Sequence, residues 1–230
     1  LAKQIAENLR AAILDGRLKV DDRLPTEEEL AQRFAVSRPT IREALKRLAA
    51  QNLVRSRRGP TGGTFIKRPS QEELHNTLCN ATTLMVTLGE FDIDAITEAR
   101  LEMERLCLRL AIERRETGHL QRMAAELARQ RQPISDEEFC ASDIRFHRAL
   151  VDATANPVLQ FNMVTVIEAL QPLMNMIANR TRERQVICSH HELLLQALEA
   201  RHLDAAEGAL RDLVDYLCQQ YRLAVRPQTN

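Results

Sequence analysis

Asp143 and His147 stand four residues apart in the run Asp143-Ile144-Arg145-Phe146-His147. On a helix that spacing is one turn, so the carboxylate and the imidazole share a face and could chelate a divalent ion. A surface contact between an acid and a histidine is the plainer outcome of the same spacing. His190 and His191 follow on a later segment, and either could approach. His75, His119 and His202 have no such company and are expected at the surface. Arg100 lies among Ile96, Ala99, Met103 and Cys107 at helical spacing, which aims its guanidinium inward. There it would either be satisfied by Glu104, four residues on, or bind a carboxylate through two parallel hydrogen bonds. Asn162, beside Val158, Val166 and Ala169, is a further pocket candidate. Met163, Leu170, Leu173, Met174 and Ile177 read as core.

A second constellation is basic. Residues 33–68 hold ten Lys and Arg against one acid, Glu43. Arg42 and Lys46, with Pro39 and Glu43, fall opposite the apolar stripe Ile41, Ala44, Leu45 and Leu48, and Arg38 and Thr40 flank the start of that helix. A helix laid in the major groove puts its first turns nearest the base edges, and arginine there can make paired hydrogen bonds to guanine. Arg57, Arg58 and Gly59 sit in a loop where a side chain can enter the minor groove and the backbone can approach phosphate. A solvated charged face is the bland alternative, and the acidic run Glu27-Glu28-Glu29 warns that not every face meets a polyanion.

The elements that must position these groups are legible from period and punctuation. A first helix is expected over Leu1–Asp15, with Gly16 ending it. Lys19 to Arg23 reads as a turn. Thr26, with Glu29 three residues on, forms a capping box for a helix over Glu27–Phe34. Ala35-Val36-Ser37 makes a short turn, and Ser37 caps a third helix starting at Arg38, where Pro39 is tolerated. Leu53–Ser56 and Thr64–Lys67 read as short strands around a loop rich in Gly and Pro. Beyond Gln71 the period is helical throughout, with helices expected over 71–88, 92–115, 118–131, 136–153, 157–180 (kinked at Pro172), 183–201 and 203–225. The fold is therefore mainly α, a winged helix-turn-helix followed by an all-α bundle. The expected domains are 1–68 for DNA binding, 69–75 as linker, 76–226 for sensing and dimerisation, and 227–230 as a tail.

Composition agrees. Aromatic residues are 3% of the chain and Trp is absent, which favours helices built on Leu, Ile, Val, Ala and Met over a sheet sandwich. The net charge of zero hides a split: residues 1–68 hold 15 basic against 8 acidic side chains, and the remainder the opposite excess. Only the first part is suited to a polyanion. Five widely spaced cysteines fit neither a disulfide framework nor a zinc knuckle, and neither a transmembrane run nor a leader is visible. A cytoplasmic protein with reduced thiols is expected.

The segments Arg23-Leu24-Pro25-Thr26-Glu27-Glu28-Glu29-Leu30-Ala31 and Val36-Ser37-Arg38-Pro39-Thr40-Ile41-Arg42-Glu43-Ala44-Leu45 resemble the GntR family of bacterial regulators. The resemblance implies that Arg38, Thr40 and Arg42 contact an operator, with Arg58 and Gly59 at the wing. Family members often carry Arg where this chain has Glu28, which puts the usual operator or its strength in doubt. Residues 92–222 resemble the helical sensor of the FadR subfamily, the FCD domain, through Glu98-Ala99-Arg100 with Glu104, Asp143 to His147, Asn156-Pro157-Val158-Leu159, and His191 before Leu194 and Ala197-Leu198. In metal-binding members one Asp and three His hold the ion. Asp143, His147 and His191 match three of these, and Leu213 stands where the fourth is expected, leaving an incomplete site for a zinc- or nickel-like ion that Asp212 or Tyr216 could reach only by a register shift. The resemblance also strengthens Arg100 as the binder of a small organic acid.

These readings converge on a DNA-binding transcription regulator, expected to be a repressor and a homodimer on a palindromic operator, with no membrane partner and no catalysis. Two rivals are an inert helical dimerisation domain behind the same DNA reader, and a metal-dependent hydrolase with Glu104 as base.

Overall fold

Leu, Ala and Ile recurring at three- and four-residue intervals fold this chain almost wholly into helices. The computed structural model describes residues 1–59, 62–169, 174–175 and 181–225, and divides the chain into two units, Leu1–Leu74 and His75–Asn230.

The first unit contains α1 (Ala2–Leu14), α2 (Glu27–Phe34), α3 (Arg38–Ala50), β1 (Val54–Arg57) and β2 (Gly63–Ile66). At the start of α2 the Thr26 hydroxyl accepts from the Glu29 amide at 3.3 Å, and the Glu29 carboxylate accepts from the Thr26 amide at 2.7 Å. That satisfies two of the amides a helix start leaves unpaired. Helix α2 ends on Ala35, whose φ of +51° is left-handed for a residue with a Cβ, a conformation costing roughly 1–2 kcal/mol. The reversal lets Ser37, two residues later, cap α3 through its hydroxyl, which accepts from the Thr40 amide at 3.4 Å. Leu24, Leu30, Ile41, Leu48, Val54 and Ile66 are almost fully buried and form the core of this unit. Each such side chain contributes roughly 1.5–3 kcal/mol.

Strands β1 and β2 pair antiparallel, with Val54 opposite Ile66 and Arg57 opposite Gly63. Each lies one residue from its expected position. The sequence reading missed a third segment on the sheet: Arg23 bridges Phe65, the Leu24 amide donates to the Thr64 carbonyl at 2.8 Å, and the Ile66 amide donates to the Asp22 carbonyl at 2.9 Å. The turn expected here holds at Asp21, whose φ is +69°, while Asp22 to Leu24, which carry no strand alternation and precede a proline, gain their extended form from β2.

In the second unit, α4 (Gln71–Thr87) starts within the stretch expected as a linker and carries the chain across the division at Leu74. Then come α5 (Ile93–Arg114), α6 (Thr117–Gln130), α7 (Asp136–Asp152), α8 (Pro157–Ala169), α9 (Thr181–Glu199) and α10 (Leu203–Val225). Asp92, Ser135 and Asn156 cap α5, α7 and α8 by accepting helix-start amides. Pro157 opens α8, where its missing N–H costs nothing. Pro172, Leu170, Leu173 and Ile177 lie outside the described residues; Met174 is buried.

Helix α6 packs on α7 and α9, α10 on α5 and α9, and α8 on α5 and α7. Leu108, Met123, Phe139, Phe146, Leu150, Met163, Leu194 and Leu210 fill the space between them. All five cysteines belong to this unit and are unpaired; Cys79, Cys107, Cys140 and Cys188 are buried and Cys218 is half-buried. Among the described residues, no helix is long and apolar enough to cross a membrane.

Candidate functional site

Two groups of side chains stand out, one exposed on the first unit and one sealed inside the second. On α3, burial of Ile41, Ala44, Leu45 and Leu48 leaves Arg38, Pro39, Arg42, Glu43 and Lys46 exposed on the opposite face. Thr40 is half-buried, with its hydroxyl 2.8 Å from that of Ser37. Arg42 grips Glu27 of α2 at two points: Nε donates to Oε1 at 3.2 Å and Nη2 to Oε2 at 2.8 Å. The acidic run therefore reaches the basic ridge from the neighbouring helix. This hydrogen bond from Arg42 holds the Glu27 carboxyl below its ordinary range. Both side chains meet water, so the contact orients Arg42 more than it stabilises the fold. At the end of β1 the Arg57 guanidinium lies 5.9 Å from the Phe65 ring centroid. Arg58 and Gly59 are exposed, and Gly59 adopts a φ of +109° that favours glycine. Pro60 and Thr61 lie outside the described residues.

Inside the second unit, Asp143 and His147 of α7 meet His191 of α9, their ligand atoms all within 4.8 Å of one another. His190, the other candidate, turns away and stands 5.8 Å from the Tyr216 ring. His147 Nδ1 is 2.9 Å from Glu104 Oε2, and His191 Nδ1 is 2.8 Å from Gln130 Oε1. With each Nδ1–H donating outward, each Nε2 keeps its lone pair. Both Nε2 atoms, and Asp143 Oδ1, are buried without a hydrogen bond, although His191 Nε2 and Asp143 Oδ1 are 3.3 Å apart. Three orphaned donor atoms converging, with outer partners that fix the imidazole tautomers, is the arrangement a divalent ion requires. The residues fit such an ion, and Asp143, His147 and His191 would hold it. Leu213 is buried and offers no fourth ligand; Asp212 is exposed.

Arg100 is buried in the same region, and its Nε donates to Glu104 Oε1 at 2.7 Å. Glu104 thus bridges Arg100 and His147, which is the structural role weighed for Arg100. Burial would raise the Glu104 carboxyl, but its electrostatic and hydrogen-bond interactions with His147 and Arg100 outweigh it and hold the group down at about 2. Burial opposes the Asp143 charge too; the contact with His191 and the field of His147, His191 and Arg100 bring it to about 2. Desolvation alone works against the charge on Arg100, and the Glu104 and Asp143 carboxylates reverse that, keeping it protonated. Burial pushes His191 below its ordinary value despite Asp143, which favours the neutral ligand form.

Arg100, Asp143 and Tyr221 line a narrow cavity with Cys140, Ile144, Ile167 and Met174, its space for a water-sized sphere about 10 Å³. Arg100 Nη2 and Tyr221 Oη are both buried without partners. Asn162 does not join this group; it is exposed on α8 and donates to the Val158 carbonyl at 2.8 Å. Gln130 and Tyr221 were missed in the sequence. Gln130 follows Met123 and Leu127 on the inner stripe of α6, and a polar residue on that stripe was the available signal. His75 and His119 are half-buried rather than exposed, and His202 is exposed as expected.

Comparison with known proteins adds a separate line. The family model described as bacterial regulatory proteins, gntR family, matches residues 1–66, and the FCD domain model matches residues 95–216. The HTH-type transcriptional regulator LutR of Bacillus subtilis is 29% identical over 204 residues, covering 86% of this chain and 90% of that protein. The HTH-type transcriptional repressor NanR of Cronobacter sakazakii is 27% identical over 215 residues, covering 92% and 81%. Among solved structures, Streptococcus agalactiae GntR superposes with a TM-score of 0.58 at 24% identity, over 95% of this chain and 99% of that one, which shows a shared fold.

Proposed function

The chain belongs to the GntR family of bacterial regulatory proteins, with an FCD domain following the helix-turn-helix, and is a transcription regulator of that type; from this premise we propose that it is a cytoplasmic repressor, a homodimer on a palindromic operator, released by a small organic acid. Residues 1–68 would read DNA through Arg38, Pro39, Thr40, Arg42 and Lys46, with Arg57, Arg58 and Gly59 at the wing. Residues 76–226 would sense the acid and pair the chains, with 69–75 joining the two parts and 227–230 a tail. Two-fold symmetry doubles the contacts of a single winged helix. The repressor sign is supported by the name that the NanR relative carries.

The effector half rests on one observation: Arg100 Nη2 and Tyr221 Oη are buried donors without acceptors, beside Asp143 in a shared cavity. A carboxylate would accept from both. FCD domains can bind metal ions, and an ion held by Asp143, His147 and His191 would add Lewis acidity and a further point of attachment for an effector oxygen. An acid larger than one water must displace Ile144, Ile167 or Met174, which couples its arrival to the packing of α7 and α8. A coupling of ~1–3 kcal/mol changes operator affinity roughly 5–150-fold.

Native mass spectrometry of freshly purified protein tests this reading. The expected result is a dimer carrying one divalent ion per chain at this site, lost in the His147→Ala variant, and an acid that dissociates in Arg100→Ala. A dimer with neither ion nor acid, whose operator affinity no carboxylic acid alters, would favour the inert-domain alternative, to which buried Leu213 lends weight.

The Arg42–Glu27 contact leads to a separate expectation. Glu27→Gln removes a negative charge from the ridge and one anchor from Arg42. Binding to scrambled duplex should tighten several-fold while the preference for the operator over scrambled DNA falls, both read by fluorescence anisotropy at fixed salt. Unchanged discrimination would mean that Glu27 does not position Arg42.

A further inference from the structure

We propose that His75, Cys79 and Glu168 form a second metal-binding site, distinct from the one at Asp143, His147 and His191 and suited to a zinc-like divalent ion. His75 and Cys79 are one turn apart on α4, and Glu168 faces them from α8; one ligand atom of each lies within 4.8 Å of the others. In a tetrahedral zinc shell with bonds of about 2.0–2.3 Å, ligand atoms stand about 3.3–3.8 Å apart. Side-chain rotations moving these atoms by about an ångström close such a shell, with solvent in the fourth position.

Two observations point to an ion rather than to ordinary packing. His75 Nε2 is buried with no hydrogen-bond partner, a cost that a coordinate bond would remove. Cys79 is the single buried side chain of the seventeen-residue α4, and it is set against a histidine and a carboxylate, while the apolar contact of this helix with the core comes two turns later through partly buried Val86. The Phe161 ring, 6.4 Å from that of His75, packs beside the imidazole. Among the described residues Glu168 pairs with Arg148 at 3.8 Å, which is too long to engage the carboxylate fully.

A mixed nitrogen, sulfur and oxygen set suits zinc and its cobalt analogue better than magnesium or calcium, which prefer oxygen alone. Burial, with the Glu168 carboxylate nearby, pushes the Cys79 thiol up to about 12, so the ion-free site holds a protonated thiol. On binding, the S–H bond breaks, a metal–sulfur bond forms, and one proton passes to solvent. The ion would tie the first turns of α4, where the chain enters the second unit, to α8. This inference is independent of effector binding and of the first metal site.

Cobalt distinguishes the two sites because only this one offers a thiolate. The full chain, stripped with chelator and titrated with Co²⁺, should develop a near-ultraviolet thiolate-to-cobalt charge-transfer band. The band should persist in His147→Ala, disappear in Cys79→Ser, and require at least ten-fold more Co²⁺ in His75→Gln, with far-ultraviolet circular dichroism unchanged in all three. Should Cys79→Ser fail to fold, zinc-dependent protection of Cys79 from alkylation, mapped by mass spectrometry in the parent chain, provides the same readout. Absence of the band from the parent, its survival in Cys79→Ser, its loss in His147→Ala, or alkylation of Cys79 at the same rate with and without zinc would each overturn the assignment.

Discussion

The Glu104→Ala variant is expected to lose about 3–5 kcal/mol of stability, the size of effect seen when one partner of a buried ion pair is removed. Glu104 is fully buried, accepts from Arg100 on one side and lies 2.9 Å from His147 Nδ1 on the other. Without it the Arg100 guanidinium keeps its charge in a dry interior, with Asp143 as the remaining nearby carboxylate. Glu104→Gln retains the volume and an acceptor for His147, so it should lose less than the alanine variant while still leaving Arg100 undercompensated. Urea unfolding followed by far-ultraviolet circular dichroism measures both. Because the damage lies in the second unit, the first should melt unchanged. An alanine variant as stable as the parent would mean that Arg100 finds another partner, or water, at no cost.

Arg38→Ala and Arg42→Ala should each reduce operator affinity by roughly 5–150-fold, from about 1–3 kcal/mol per well-placed arginine contact. Their stability should stay within about 0.5 kcal/mol of the parent, since neither side chain is part of the core. An operator selected from random duplexes and a scrambled control, titrated at one salt concentration, separate the two kinds of contact. An arginine that reads a base loses affinity for the operator alone. One that holds phosphate weakens both duplexes and lowers the dependence on salt by about one counterion. Parent-like affinity in both variants would remove α3 from the interface.

The helices and their ends were legible because their determinants are local. Thr26 with Glu29, Ser37 before Pro39, and Asn156 before Pro157 each announce a helix start within four residues, and the structure places helices where they say. The convergence of Asp143, His147 and His191 was half legible: the first two share one turn, but nothing local brings His191 to them from 44 residues beyond His147. What remained hidden depends on contacts between distant parts of the chain. Glu104 is 43 residues from the histidine it meets and Glu27 is 15 from Arg42. His75 was expected at the surface because the carboxylate that faces it lies on α8, far along the chain. Residues 22–24 gain their extended form from β2 and have no pattern of their own.

Confinement of every cysteine to one unit gives the chain a built-in clock. Four of the five sulfurs are sealed, and burial keeps thiols such as Cys107 and Cys140 at about 12, so alkylating reagents find almost no thiolate while the bundle is closed. Each of those sulfurs reacts only in moments when its surrounding helices part, whereas half-buried Cys218 labels early and serves as the reference. Labelling rates therefore report how often the bundle breathes, with the winged end silent throughout.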